Sequence, residues 1–167
     1  MVCCGTADTS ETKQQTQMKK YVITLSQVFP VTHKRAGEPT GFRENFRKTK
    51  LHTLRANLPY WEGIFKEIDA GTACLCVRQW SGRPYMSKQV ELACLTREDG
   101  IGLQKLEFKQ KSLLGGYKLQ TIDGKPWSRQ IIAENDGLSL EDWKEWFRNY
   151  DKTKPMAVIH FTPFRYR

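Results

Sequence analysis

The stretch KTKLHTLRANLPYW, Lys48–Trp61, places a short run of branched and polar residues directly before an apolar segment that contains a proline. Residues 51–55 have the length and the branched side chains typical of a short strand. The apolar residues after them recur at helical spacing, with Pro59 suited to the first turn of a helix and Gly71 to its end. The stretch therefore predicts a short strand that is followed closely by a buried helix.

The rest of the chain shows mostly strand patterns. Alternating or continuous apolar runs predict further strands in YVITLSQ, TACLCVRQW, KQVELACL, IGLQKLEF, GYKLQTID and MAVIHFT. Helical spacing predicts helices in FRENFRK, SRQIIAEN and LSLEDWKEWFRNY. We therefore predict an α+β fold, a small and mostly antiparallel β-barrel of about five or six strands with helices packed at its ends. The closing strand, Met156–Thr162, is expected to pair with an early strand.

The length of 167 residues fits one domain with a single core. Residues 1–17 are polar and poor in apolar side chains, so we expect a disordered N-terminal tail followed by the domain over residues 18–167. No apolar run approaches the ~20 residues of a membrane span, and the start lacks the basic and apolar regions of a secretory signal. The sequence thus predicts a cytoplasmic protein that makes no contact with a membrane.

The charge balance points to a polyanionic partner. The chain carries 27 Lys and Arg against 18 Asp and Glu, a formal net charge of +9. An excess of this size favours association with nucleic acid, and RNA or a nucleotide is the partner that we expect. The alternative is a soluble basic protein with no such partner, because net charge determines association rather than fold.

The five cysteines are Cys3, Cys4, Cys74, Cys76 and Cys94. None forms a C-x-x-C pair, and their odd number argues against a closed set of disulfides. On a strand, Cys74 and Cys76 would share one face, and buried free thiols in a reducing cytosol are the expected state. A zinc site completed by His52 or His160 is the alternative. Because no ligand spacing supports it, we expect neither a metal nor a cofactor.

The strand at residues 51–55 carries a candidate binding site. Thr53 and Arg55 alternate along the strand and therefore share one face, and Lys50 can reach the same space from the preceding turn. A hydroxyl, a guanidinium and an ammonium that converge can hold an anion or a nucleotide. The alternative is an edge strand whose polar face simply meets water. In either case Lys50 and Arg55 are expected to face a cleft and to add little to the core.

The arrangement Lys50-x-x-Thr53-x-Arg55 resembles the signature of the ASCH domain, a family in the PUA-like superfamily whose pattern is G-x-K-x-x-T-x-R. The late segment NDGLSLEDWKEWFRNY and the apolar strand AVIHF are similar to the end of that family, and VITLSQVFP resembles its first strand. The likeness spans Tyr21–Phe164. It departs from the family pattern at Lys48, where the family has glycine, and in a longer middle region.

This resemblance implies a PUA-like barrel and an RNA-binding or nucleotide-binding function. Some ASCH proteins are amidohydrolases that remove the acetyl group from acetylated cytidine, so the alternative is a small amidohydrolase acting on a modified nucleoside. Carried over by position, Thr53 would be the nucleophile, Lys50 its activating base and Asp136 the carboxylate that exchanges protons. Glu134 is the second candidate for that carboxylate, and Arg55 would orient the substrate.

The segment RQWSGRPYMSKQVE reads as an elaboration that could form a loop over the site. Trp80, Arg83 and Tyr85 give this loop stacking surface and charge, so we include them among the ligand-binding candidates. The alternative is that the aromatic residues pack against the barrel. His33 lies in a loop rich in proline and glycine and is expected to be free to meet a ligand. His52 and His160 are expected to be hydrogen-bonded structural residues.

Overall fold

The computed structural model describes residues 17–110 and 117–167. In chain order its elements are β1 (Lys19–Leu25), α1 (Phe42–Asn45), β2 (His52–Arg55), α2 (Leu58–Asp69), β3 (Ala73–Trp80), β4 (Gln89–Leu95), a 3-10 turn (Arg97–Asp99), β5 (Gly102–Gln110), β6 (Tyr117–Ile122), β7 (Lys125–Pro126), α3 (Arg129–Asn135), α4 (Leu140–Trp146) and β8 (Met156–His160). The tail that the sequence predicts over residues 1–17 lies outside the described residues, apart from Gln17.

The strands form two hydrogen-bonded sheets within the described residues. The first has the order β1-β3-β4, with β1 parallel to β3 and β4 antiparallel to it. The second has the order β2-β8-β5-β6-β7 and is antiparallel throughout. The chain between β1 and β3 contains α1, β2 and α2, and a connection of this length is what parallel neighbours require.

Both sheets contribute to one hydrophobic core, which α2 covers with the face that the sequence predicts. Leu75 and Val77 of β3 and the whole of β8 are buried. The α2 residues at helical spacing are buried against them: Leu58, Trp61, Ile64, Phe65 and Ile68. The closing strand therefore lies in the core, α2 packs over that core with one face, and β2 is hydrogen-bonded to the closing strand.

The α+β class and the mostly antiparallel pairing are confirmed, and so is the pairing of the closing strand with an early one, because β8 pairs with β2. The closed barrel is not confirmed, since the two sheets of the described residues remain open. A side chain links β2 to β1, because Arg55 Nη2 donates to the Thr24 carbonyl at 2.7 Å. None of the helices in the described ranges has the length and apolar composition needed to cross a membrane.

Two buried histidines face each other on β2 and β8. His52 pairs with His160 in register, and their rings lie 5.5 Å apart. His52 Nε2 is 2.8 Å from the Tyr166 hydroxyl, which confirms its expected hydrogen bond, whereas neither ring nitrogen of His160 has a partner among the described residues. Burial lowers the pKa of His52 well below 6.5 and that of His160 to about 3. Both rings are therefore neutral in the folded protein at pH 7.

These histidines should make the protein sensitive to mild acid. In the folded state the pKa of His160 is depressed from 6.5 to about 3, so the unfolded chain binds more protons and stability falls as the pH drops below 6.5. When the pH falls from about 7.5 to about 5, protonation of His160 in the unfolded chain should lower the free energy of unfolding by about 2 kcal/mol. Urea unfolding of the wild type and of His160→Leu at both pH values measures this. Equal losses in the two proteins would contradict the assignment.

Candidate functional site

A buried ion pair between Lys50 and Asp136 forms the floor of the candidate site. Lys50 precedes β2 and Asp136 ends α3, and they are exposed by only 1 % and 2 %. Lys50 Nζ donates to Asp136 Oδ1 at 2.8 Å and to the Asp136 carbonyl at 2.7 Å. The same ammonium lies 3.9 Å from the centre of the Phe42 ring. Two oxygens and an aromatic face thus replace the water that the ammonium loses.

The local backbone explains how two distant segments come this close. Leu51 N donates to the Asn135 carbonyl at 2.7 Å and fastens the start of β2 to the end of α3. Gly137 has a φ of 79°, and a Cβ at this position would lie 3.1 Å from the Lys50 Cβ. The Asp-Gly dipeptide therefore supplies both the carboxylate and the space in which the lysine side chain passes.

Burial and pairing act in opposite directions on these two groups. Burial lowers the pKa of Lys50 and raises the pKa of Asp136, and the attraction between the charges opposes each shift. Arg55 adds a second positive charge, which further lowers the pKa of Lys50. Desolvation therefore favours the neutral form of each group, and a neutral lysine is the form that can accept a proton.

Thr53 and Arg55 lie beside this pair on β2. Arg55 Nη1 donates to Thr53 Oγ1 at 2.8 Å and to the Leu54 carbonyl at 2.9 Å, while Nη2 donates to the Thr24 carbonyl. Thr53 is 4 % exposed. No hydrogen bond joins Lys50 Nζ to Thr53 Oγ1 in the described part of the chain, so the threonine hydroxyl is held by the guanidinium rather than by the lysine.

These side chains surround a small chamber that we call the polar cavity. Its volume of about 20 Å³ has room for about one water molecule. Its walls come from the ends of β1 and α4, from α1 and β2, and from the α3–α4 turn: Leu25, Ser26, Phe42, Lys50, Thr53, Arg55, Asp136, Leu138, Trp146 and Phe147. Three cationic or anionic groups therefore meet a ring of apolar side chains, which is the composition of a recognition site.

A larger depression, which we call the aromatic groove, adjoins the polar cavity. Its volume is about 360 Å³, and it runs between residues 24–31 and the β3–β4 connection. Leu25 and Ser26 line both spaces. In the connection the rings of Trp80 and Tyr85 lie 5.2 Å apart, and Tyr85 is 88 % exposed with a φ of 63°. These rings give the groove an aromatic surface.

The structure brings together most of the predicted site residues but not all of them. Lys50, Thr53, Arg55 and Asp136 line the polar cavity. Trp80 and Tyr85 line the groove, whereas Arg83 is exposed and outside its lining. Glu134 is also exposed, and it accepts a hydrogen bond from Gln130 on the outer side of α3 rather than entering the cavity.

Two expectations about individual side chains are wrong. His33 is not free for a ligand, because it is 4 % exposed, its Nδ1 accepts from Arg35 N and its Nε2 lies 3.1 Å from the Asp142 carbonyl. Lys50 does not stand in an open cleft, because it is among the most deeply buried side chains of the described residues. Its partners Asp136 and Phe42 make this burial tolerable, and the sequence alone gave no measure of that depth.

Sequence reasoning missed several walls of the cavity. In the sequence, Phe42 belongs to the predicted helix FRENFRK, and no motif marks Trp146 as a site residue. Leu25 and Ser26 belong to the end of β1 and the turn after it. The available signal was the Asp-Gly dipeptide, since a glycine after the expected carboxylate indicates a close approach of another segment.

Comparisons with models of protein families, with curated proteins and with solved structures found no match for this chain.

Removing the lysine alone should destabilise the protein strongly. Lys50→Met leaves the Asp136 carboxylate buried without a partner, which should cost about 3–5 kcal/mol of unfolding free energy. The double variant Lys50→Met/Asp136→Asn removes the stranded charge and should recover at least about half of that loss. Urea unfolding near pH 7 measures both.

Lys48→Met is the matched control, because Lys48 is exposed two positions away and should change stability by no more than about 0.5 kcal/mol. A loss in Lys50→Met that equals the loss in Lys48→Met would show that the pair does not constrain the fold.

Proposed function

We propose that this protein is an ASCH/PUA-like domain that binds RNA or a nucleotide, with the ligand recognised in the aromatic groove and at the polar cavity. The observation that carries the proposal is the position of Arg55 at the cavity, beside Lys50 and next to an apolar groove of about 360 Å³. The volume of the groove falls within the range of small-molecule sites. A base would stack in the groove, and phosphate or a base edge would meet the cations.

The hydrogen bonds of Arg55 support this role. A guanidinium has five N–H donors in a planar fork, and the contacts to Thr53, Leu54 and Thr24 account for three of them. These contacts fix the plane of the fork, so a ligand oxygen would meet donors that are already oriented. Trp80 and Tyr85 offer the stacking surface that single-stranded RNA recognition uses.

The PUA-like barrel is part of the same proposal. The two sheets share one core, and Arg55 links β2 to β1 through the Thr24 carbonyl. A barrel that is split at this point would place the motif residues at its mouth, where the family pattern implies that they lie. The reducing cytosol is the compartment that suits the free thiols of the described residues.

Amide hydrolysis is the second candidate, and the buried Lys50–Asp136 pair beside Thr53 favours it specifically. In this reaction the Thr53 hydroxyl attacks the acetyl carbonyl of an acetylated cytidine and transfers its proton to neutral Lys50. The amino group of the cytosine leaves with a proton that the Lys50–Asp136 pair supplies. Water then hydrolyses the acetyl-threonine ester, releasing acetate and restoring the hydroxyl.

This chemistry needs a rearrangement at the hydroxyl. Thr53 Oγ1 accepts from Arg55, and Lys50 Nζ is bonded to Asp136. A substrate oxygen that bound the Arg55 fork could take the place of Thr53 as its acceptor and free the hydroxyl to turn toward Lys50. Catalytic hydrogen bonds often form only in the substrate complex. The absence of a hydrogen bond between Lys50 Nζ and Thr53 Oγ1 is therefore compatible with Lys50 acting as the base for Thr53.

RNA binding should be strongly dependent on salt. If about three to five phosphates are neutralised, affinity for a short single-stranded RNA should fall by about 10- to 1000-fold between about 50 and 200 mM salt.

Tyr85→Ala removes an exposed ring and should weaken binding by about 1–3 kcal/mol. Fluorescence anisotropy with a labelled oligonucleotide measures both effects. Lys66→Ala, an exposed residue that lines neither space, is the control and should leave affinity nearly unchanged. Affinity that is independent of salt would contradict electrostatic recognition of RNA.

Thr53→Val separates the two candidate functions. Valine keeps the shape of the side chain and removes its hydroxyl, so a binding domain should lose about tenfold in affinity or less. A hydrolase loses its nucleophile, and turnover of acetylated cytidine should fall by at least about a hundredfold. Deacetylation and ligand affinity are measured together on the wild type, Thr53→Val and the exposed control Thr49→Val. Absence of turnover in the wild type, with binding intact, would exclude this hydrolase.

A further inference from the structure

Three cysteines meet on the first sheet, away from both the polar cavity and the aromatic groove. Cys74 and Cys76 alternate along β3, and Cys94 lies opposite Cys76 on β4. Leu75 and Val77, which alternate with them, are fully buried in the core. The cysteines therefore occupy the opposite face of the sheet, and Cys94 is exposed to solvent.

Their sulfur atoms form one cluster. Cys94 Sγ lies 3.1 Å from Cys74 Sγ and 2.7 Å from Cys76 Sγ, and all three sulfurs lie within 4.8 Å of one another. Burial raises the pKa of Cys74 and of Cys76, because an apolar surrounding disfavours a thiolate.

We propose that Cys74, Cys76 and Cys94 form a binding site for one thiophilic metal ion such as Zn²⁺, with three sulfur ligands and a fourth position open to solvent. Zn–S bonds of about 2.3 Å put the sulfurs of a tetrahedral site about 3.8 Å apart. The two sulfur separations that involve Cys94, 3.1 and 2.7 Å, are shorter than this value, so the cysteine side chains would have to move apart to hold the ion. Soft thiolate ligands select Zn²⁺ and related cations over Mg²⁺ or Ca²⁺.

The sheet provides the rigidity that such a site needs. Two ligands come from one strand and the third from its hydrogen-bonded neighbour, and the side chains between them are anchored in the core. On the other side of β3, Lys20 and Val22 of β1 stand in register with Cys74 and Cys76. Ligands on rigid neighbouring strands keep their spacing, which lowers the cost of assembling the site.

The binding step balances without a redox partner. Each of the three thiols loses its proton to solvent and forms one sulfur–metal bond, so three protons are released for each divalent cation bound. A disulfide between Cys76 and Cys94 would instead need an oxidant to accept two electrons. That outcome is distinguishable, because a disulfide removes two free thiols and leaves too few ligands. The metal site does not depend on the proposed RNA function.

Cadmium titration of the full-length chain tests the proposal directly. The parent protein carries Cys3→Ser and Cys4→Ser, so that only the cysteines of the sheet can bind, and it is prepared reduced and free of metal. One Cd²⁺ should bind per chain, with thiolate-to-cadmium charge-transfer absorbance in the ultraviolet and an intensity that corresponds to three sulfur ligands. Zn²⁺ should displace Cd²⁺ and abolish this absorbance. A parent that binds no Cd²⁺, or that has lost two free thiols to a disulfide under reducing conditions, would overturn the site.

Cys94→Ser in this parent is the decisive variant, because the residue is exposed and its replacement should not disturb the core. Loss of an outer-shell partner alone costs about 10- to 100-fold in metal affinity, so loss of a direct ligand should cost more than about 100-fold. Cys74→Ala should have the same effect, with circular dichroism reporting that the sheet is intact. Ser81→Ala, an exposed change in the β3–β4 connection, should leave affinity unchanged. Cadmium affinity in Cys94→Ser equal to that of the parent would contradict the proposal.

Discussion

The ion pair between Lys50 and Asp136 is the constraint around which this fold is arranged. Moving two charges out of water is costly, and the cost is recovered only where geometry and additional hydrogen bonds are good. Here the ammonium meets a carboxylate, a carbonyl and an aromatic face at once. Because these partners come from α1 and from the end of α3, the pair holds β2, α1 and the α3–α4 turn in fixed positions. Gly137 makes this possible, since a larger residue would crowd the lysine stem.

The same burial gives the site its chemical character. A lysine at the surface is an inert cation at neutral pH, whereas burial lowers the pKa of Lys50 and raises the pKa of Asp136, against the attraction between the two charges. Arg55 adds a charge that stays positive and a fork that spans the gap between the sheets. The polar cavity thus combines a group that can change protonation with one that cannot, next to an apolar groove. That combination suits both recognition and hydrolysis, and it explains why the two candidates share residues.

Local periodicity was enough to predict the individual elements, because α2 and β8 bury the residues that their spacing indicates. Pairing between distant strands was harder. The parallel alignment of β1 with β3 and the open edges of the sheets depend on contacts far apart in sequence, which periodicity does not encode. The motif was enough to predict that Lys50, Thr53 and Arg55 share one site. The burial of Lys50 depends on Phe42 and Asp136, which the motif does not include. The burial of His33 likewise depends on Asp142, more than 100 positions away.

Strand β3 connects the two candidate sites. Its inner face carries Leu75 and Val77 into the core, its outer face presents Cys74 and Cys76, and its last residue, Trp80, lines the aromatic groove. Trp80 lies four positions after Cys76 along the strand, a distance of about 13 Å. A cation that joined β3 to β4 at Cys94 would therefore lie well inside the paired strands, and the ladder from Val77–Ala93 to Trp80–Gln89 would separate it from the connection that carries Tyr85. The two candidate sites thus share a hairpin without sharing a residue.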